Sequence, residues 1–211
     1  MPNKLSSEIS WIIGVSGASG MPYAVRLIDV LEAQGIKLHI VFTEAALRVL
    51  AEEQGVALSP SKLNGVVPSE ALLGRASEHL TFYAVKDIGA SIASGSFPVT
   101  GMVVCPCSMD TLAAIACGVS MNLVQRAADV TLKERRPLIL VPRETPLSAI
   151  HLENMLKLAR LGVSIVPAMP GFYHQPKTIA DLVDMQVMKI TDQMGLNLSL
   201  VKRWQVESEP A

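Results

Sequence analysis

The sequence predicts a single α/β domain on a parallel sheet, and three observations carry that expectation. Short apolar runs recur along the chain, each closed by glycine, proline or a small polar residue and followed by a segment of helical period. Half of the 211 residues are hydrophobic while only 4% are aromatic, so Ala, Val, Ile, Leu and Met supply the core; that mixture suits buried parallel strands covered by helices. The length fits one well-packed domain and is short for two.

The first βαβ unit sets the pattern. Ile9 to Ile13 reads as a strand, Gly14 to Gly20 as a glycine turn, Met21 to Gln34 as a helix ended by Gly35, and Ile36 to Phe42 as a second strand. Its crossover is expected to be right-handed. A helix from Glu44 to Gln54 carries Glu52 and Glu53 in its last turn, where carboxylates oppose the helix dipole. Either both belong to a solvated end or one is aimed at a site. From Gly55 to Ala90 the pattern weakens, which predicts an irregular excursion or a pair of short elements.

A second small glycine loop, Ala93 to Ser96, leads into a strand at Gly101 to Cys105, and Ser108 is placed to cap a helix reaching about Ala116. Asn122 caps the next helix, Leu123 to Arg135, on which Arg126 and Lys133 share a face with Asp129 between them. Leu138 to Val141 is a buried strand that delivers Arg143 and Glu144 to its carboxyl end, between two prolines. A helix from Leu147 to Leu161, a strand from Val163 to Val166 and a proline-rich loop presenting Tyr173 and His174 follow. Thr178 and Asp181 form a capping box for a last helix, Ile179 to Met194, which bears Lys189. The tail from 195 to 211 either docks on a neighbouring subunit through Arg203 and Trp204 or frays.

A formal net charge of −1 gives no general attraction to nucleic acid or to an anionic membrane. No apolar run approaches the roughly 20 residues of a transmembrane helix, and the polar N-terminus lacks a secretory signal, so a cytoplasmic protein is expected. Cys105, Cys107 and Cys117 are odd in number and match no zinc spacing; they read as reduced thiols in the core, and no metal site is expected. The apolar excess points to helical surfaces covered by other subunits.

The candidate site lies where strand ends meet helix starts. Glycines let backbone approach a bound group closely, and a helix N-terminus favours an anion, so Gly14 to Gly20 is either a phosphate cradle or a tight turn without a ligand. Its spacing is G-x-x-G-x-x-G and not G-x-G-x-x-G, and the second strand ends at Thr43 and not at an acidic residue, which favours a mononucleotide over a dinucleotide. The Ser108 loop faces the same crevice. A guanidinium at 143 can grip phosphate bidentately, and a carboxylate at 144 can move a proton.

These residues carry a resemblance over nearly the whole chain. Gly17 to Gly20, Ser94 to Ser96, Cys105 to Ser108, Arg126 to Val130, Leu132 to Leu138, Val141 to Glu144, His151 to Met155 and Pro170 to Pro176, in this order, resemble the flavin prenyltransferases of the UbiX/Pad1 family. The resemblance implies a three-layer Rossmann-like, flavodoxin-type domain assembled into a dodecamer, with FMN held at subunit junctions. It implies a metal-independent transfer of a dimethylallyl group from dimethylallyl phosphate to N5 and C6 of reduced FMN. The product, prenylated FMN, would serve a UbiD-type decarboxylase in ubiquinone synthesis or aromatic acid metabolism.

By position, the resemblance places Gly17, Ala18, Ser19, Thr43, Ser108, Met109, Asp110, Thr111, Arg126 and Arg143 at the flavin. It places Lys133, Tyr173 and Lys189 at the donor phosphate, and Ala93 and Trp204 at the prenyl pocket. Glu53, Glu144 and Lys133 take the catalytic roles. Lys189 stands where an arginine is expected, and Glu44 where a lysine is frequent; a lysine is a point charge without the bidentate fork of arginine. Two other readings share the fold: an FMN-dependent cysteine decarboxylase, and a non-catalytic flavin carrier.

Overall fold

The computed structural model describes residues 9–58 and 69–204. Six parallel strands form one sheet in the order β3-β2-β1-β4-β5-β6, with β1 at Ser10–Val15, β2 at Lys37–Phe42, β3 at Leu80–Tyr83, β4 at Gly101–Cys107, β5 at Leu138–Pro142 and β6 at Ser164–Ile165. The order reverses between β1 and β4, whose register pairs Trp11 with Gly101 and Gly14 with Val104. That reversal is the topological switch point, where loops leaving β1 and β4 diverge to opposite faces and open a crevice at the carboxyl ends.

Each face is covered by helices, which gives the three layers. Helices α1 (Met21–Ala33), α2 (Glu44–Gln54), α3 (Ser69–Leu73) and α7 (Ile179–Gln193) share one face; Leu27, Leu31, Leu50 and Val187 pack there against Ile13, Ile40 and Val103. Helices α4 (Met109–Ala116), α5 (Leu123–Lys133) and α6 (Ala149–Arg160) share the other; Leu112, Val124, Ala128 and Leu158 pack there against Ile12, Val104 and Leu140. Strands β1, β4 and β5 are buried at every position, as parallel strands covered on both faces must be.

The capping chemistry read from the sequence is present. Ser108, Asn122 and Thr178 each accept a backbone N–H three residues on, and Asp181 reciprocates toward Thr178; Thr43, which the sequence did not mark as a cap, does the same for Ala46. Ser148 and His151 form a second capping box, which shortens the expected helix start from Leu147 to Ala149. Other bounds also shift: β1 extends through Val15, β4 reaches Cys107, α5 stops at Lys133 and β6 contracts to two residues.

Within the weakly patterned stretch, α3 and β3 are the pair of short elements, and residues 59–68 lie outside the described residues. Strand β3 adds to the sheet edge beside β2, pairing Leu38 with Leu80. Arg75 holds α3 to α1 through Asp29 and Glu32, both at 2.7 Å, and Arg26 joins α1 to α7 through Asp184 at 2.7 Å. The cysteine expectation needs correction: Cys105 and Cys107 are buried, with burial pushing both thiols far up, but Cys117 caps the end of α4 and is exposed. The turn at Gly118 carries it out of the core.

His39, on β2, is largely buried beside Phe97 and meets the Tyr83 hydroxyl at 3.0 Å. Burial, with Lys37 nearby, pushes its pKa down to about 4. The unfolded chain therefore takes up this proton first, and the stability that neutral His39 allows is complete above about pH 6.5 and is lost as pH falls toward 4. Thermal melts of the wild type should lose Tm across that window, and His39→Gln should flatten the acid limb; parallel limbs in the two proteins would show that other groups control it.

Candidate functional site

Ser16, at the end of β1, is 1% exposed and joins two loops. Its N–H and its hydroxyl both donate to the Pro106 carbonyl at 3.1 Å, and its Oγ accepts the Ser108 N–H at 2.7 Å. A third loop is tied on by Arg143, whose N–H donates to the Cys107 carbonyl at 3.4 Å and whose Nε donates to the Ser19 carbonyl at 3.2 Å. The loops after β1, β4 and β5 thus form one continuous surface at the switch point. No motif in the sequence marks Ser16; its one signal there is a hydroxyl residue just past an apolar strand, enclosed by glycines.

The glycine loop is tighter than a cradle requires. A Cβ on Gly17 would lie 2.5 Å from the Ala45 Cβ, so this glycine is demanded by the first turn of α2 packing on the loop. The start of α1 is already occupied: the Glu53 carboxylate accepts the Gly20 N–H at 3.0 Å and the Met21 N–H at 2.8 Å. An anion does sit at this helix N-terminus, as its dipole favours, and the chain supplies it. Burial raises the Glu53 pKa, but hydrogen bonds from Ser19, Gly20 and Met21, with the charge of Arg143, outweigh it and hold the group below the usual glutamate value. Glu53 is ionised near neutral pH, an acceptor and not a proton donor. Glu52, by contrast, pairs with Arg48 on the outer face of α2, both strongly exposed.

Around this frame the other strand-end residues gather. Thr43 Oγ1 accepts the Ala46 N–H at 3.1 Å, and Ser108 Oγ accepts the Thr111 N–H at 3.3 Å while donating to Thr111 Oγ1 at 3.0 Å. Met109 and Thr111 are buried, Asp110 is exposed, and Ala18 lies under the loop at 6% exposure. Glu144 is exposed and accepts its neighbour's N–H from Thr145 at 3.0 Å. Hydroxyls, two helix starts and a guanidinium here suit a phosphate monoester.

The remaining predicted residues lie in two other places. Helix α5 starts beside the end of β3, where the Leu123 N–H donates to the Val85 carbonyl at 2.8 Å. It ends at the opposite edge, where Leu132 and Arg135 share a cleft with Leu138 and Ser164 at the starts of β5 and β6. Eleven residues of helix span roughly 16 Å. Arg126, in the first turns, pairs with Asp129 at 3.0 Å. Lys133, at the far end, does not reach that pair, as the shared face had implied; it meets Glu134 above the loop of Ser94 to Ser96, next to buried Ala93. Arg136, also unread from the sequence, fixes this loop by donating to the carbonyls of Gly95 at 2.7 Å and Phe97 at 2.9 Å.

The third group lies along α7. Tyr173 donates to the Met185 sulfur at 3.6 Å and meets the Trp204 ring edge-on at 5.6 Å. Arg203 closes back on Asp192 at 2.7 Å while Trp204 keeps most of its surface exposed, and residues 205–211 of the tail lie outside the described residues. Lys189 is exposed and borders a cleft with Pro167, Met169 and Gln186. Glu44 is neutralised at 2.9 Å by Lys86, from the loop after β3. Among the described residues, no group of three or more His, Cys, Asp or Glu side chains is arranged to hold a metal ion.

This fold and site define a flavoprotein: the Flavoprotein family model matches residues 2–192. A flavin prenyltransferase UbiX of Halalkalibacterium halodurans is 47% identical over 94% of this chain and 95% of its own length. A solved dodecameric FMN-dependent UbiX-like decarboxylase from Escherichia coli O157:H7 superposes with a TM-score of 0.82 at 41% identity, covering 94% of this chain and all of the other. AnUbiX (PadA1), solved in complex with FMN and dimethylallyl pyrophosphate, superposes with a TM-score of 0.83 at 36% identity, covering 95% and all. The chain belongs to the UbiX flavin prenyltransferase family.

Because Glu53 is held ionised by bonds that exist only in the fold, its stabilisation is present above the usual glutamate pKa and is lost as pH falls through its lowered one. Glu53→Gln should therefore lower Tm at pH 7, and the gap to wild type should narrow as pH falls below the usual glutamate range. A pH-independent gap would show that packing and not charge holds α2 to α1.

Proposed function

We propose that this protein transfers a dimethylallyl group from dimethylallyl phosphate to N5 and C6 of reduced FMN, releasing prenylated FMN to a UbiD-type decarboxylase. The observation that supports this most strongly is the surface joined by Ser16 and Arg143, at the switch point of a chain 47% identical to a UbiX flavin prenyltransferase. The donor set fits FMN: Arg143 and the hydroxyls of Ser19, Thr43 and Ser108 suit its phosphate, with Gly17, Ala18, Met109, Asp110, Thr111 and Arg126 around it. When bound, reduced FMN supplies the nucleophilic N5 and C6.

The chain's own work is electrostatic. An allylic phosphate leaves as a dianion, and Lys133, Arg143 and Lys189 neutralise it. Tyr173, Trp204 and Ala93 keep water from the allylic carbon. Glu144, exposed on a loop fixed by Arg143, accepts the ring proton. Glu53 orients Ser19 and the start of α1 against Arg143.

Lys133 and Arg143 sit at opposite edges of one protomer's sheet, so this assignment requires a second protomer to complete the site. A dodecamer, the assembly of the solved relative from Escherichia coli O157:H7, supplies such junctions. Exposed Ile150 in the first turn of α6, Leu161 just after it, Phe172 in the loop before α7 and Ile179 at its start, each more than half accessible, suit subunit contacts. No described helix is long and apolar enough to cross a membrane. We place the reaction in the cytoplasm, where thiols such as Cys117 stay reduced.

Anaerobic incubation with reduced FMN and dimethylallyl phosphate should yield a flavin heavier by one C5H8 unit. Unmodified flavin, with the diphosphate donor failing as well, would refute the proposal. Glu53→Gln should retain FMN and slow turnover by about ten- to a hundredfold, the scale of a displaced polar contact to the reacting groups.

A further inference from the structure

We infer that the Glu134 carboxylate is an internal stand-in for the donor phosphate, holding Lys133 over the loop of Ser94 to Ser96 until that phosphate displaces it. The inference rests on the assignment of Lys133 to the donor. Two observations place the carboxylate over this loop, and two more concern the loop itself.

First, Lys133 Nζ donates directly to Glu134 Oε1. Second, that carboxylate passes over Gly95: a Cβ there would collide with Glu134 Oε1 and come within 3.0 Å of Lys133 Nζ. Any other residue at 95 would push ammonium and carboxylate off the loop. Third, the loop is held from below by the two bonds from Arg136 to the Gly95 and Phe97 carbonyls, while Tyr83 steadies its start by meeting Ser91 Oγ at 3.2 Å. Fourth, Ser94 Oγ and Ser96 Oγ meet at 2.9 Å on the same loop. An ammonium over a loop that carries two hydroxyls is a donor set a phosphate could use.

A carboxylate carries one negative charge and two acceptor oxygens, whereas a phosphate monoester carries close to two charges and three oxygens. The exchange on Lys133 therefore favours the phosphate over weaker anions. Glu134 keeps the ammonium positioned between turnovers, at the cost of competing with the donor. The pair is solvent-exposed, which keeps the competition small and readily reversible.

The test uses the full-length protein loaded with oxidised FMN, so that no turnover occurs, and calorimetric titration with dimethylallyl phosphate. Glu134→Gln should bind the donor about three- to fivefold more tightly, the scale of one exposed ion pair. Lys133→Met should bind it more weakly, and Glu134→Gln should make no further difference in the Lys133→Met background. Equal or weaker binding by Glu134→Gln, or tightening that persists without Lys133, would overturn the inference. If wild type binds the donor but leaves reduced FMN unmodified, the proposed reaction fails and the inference stands. If FMN is prenylated and Glu134→Gln binds as wild type does, only the inference fails.

Discussion

The site depends on one buried hydroxyl. Ser16 satisfies the Pro106 carbonyl and the Ser108 N–H at once, so the chain leaving β1 and the chain leaving β4 cannot move independently. The two loops depart to opposite faces and the register of β1 with β4 ends at Gly14 and Val104, so beyond it the tie is made by the N–H and hydroxyl of Ser16. Burial raises the stakes: removing the hydroxyl leaves the Ser108 N–H unpaired, which costs about 1–3 kcal/mol, while the Pro106 carbonyl keeps the Ser16 N–H. Arg143 extends the tie to β5 from a more accessible position, where its charge remains available.

The same sheet geometry separates the residues that the proposed chemistry needs. Parallel strands put every loop of one kind at one edge, so a crossover helix must carry its last residues to the other. Helix α5 does this with Lys133, and its pairing with Glu134 and Gly95 belongs to the edge where β4 and β5 begin. Bringing such a cation to a carboxyl-end site is a task for symmetry, since a second copy can present its amino edge to the first copy's crevice. The apolar residues left exposed around α6 and before α7 are consistent with that economy.

What was legible in the sequence follows from locality. Periodicity located α2 to the residue, and caps put Ser108, Asn122 and Thr178 at helix starts, because a cap is a bond over three residues. Strand β3 was not resolved from its surroundings, since four residues on a sheet edge carry little period. The roles of Ser16, Arg136 and Glu53 were illegible for a different reason: their partners lie 90, 41 and 33 positions away. Glu53 was noticed for breaking the helix-dipole rule, and the breach marked a partner, though the sequence could not say that the partner was the start of α1. Cys117 lies one residue past the helix end expected at Ala116, and a cysteine count and spacing do not say which way a residue at a helix end faces.

Two carboxylates occupy anion positions in this fold, and their settings lead to opposite consequences. Glu53 is gripped by two backbone N–H groups of α1, which cannot swing away, and an incoming phosphate would have to expel a charge that also links α2 to α1. That exchange would unpick packing, so the helix start is structural and the phosphate must be met by Arg143 and the neighbouring hydroxyls. Glu134 is held chiefly by a side chain on a solvated edge, and it loses one exposed partner when it leaves. Exchange there costs little and returns water to both groups. The glycine loop that looks most like a phosphate cradle is therefore the poorer candidate to receive one, and the serine–glycine–serine loop under Lys133 is the better.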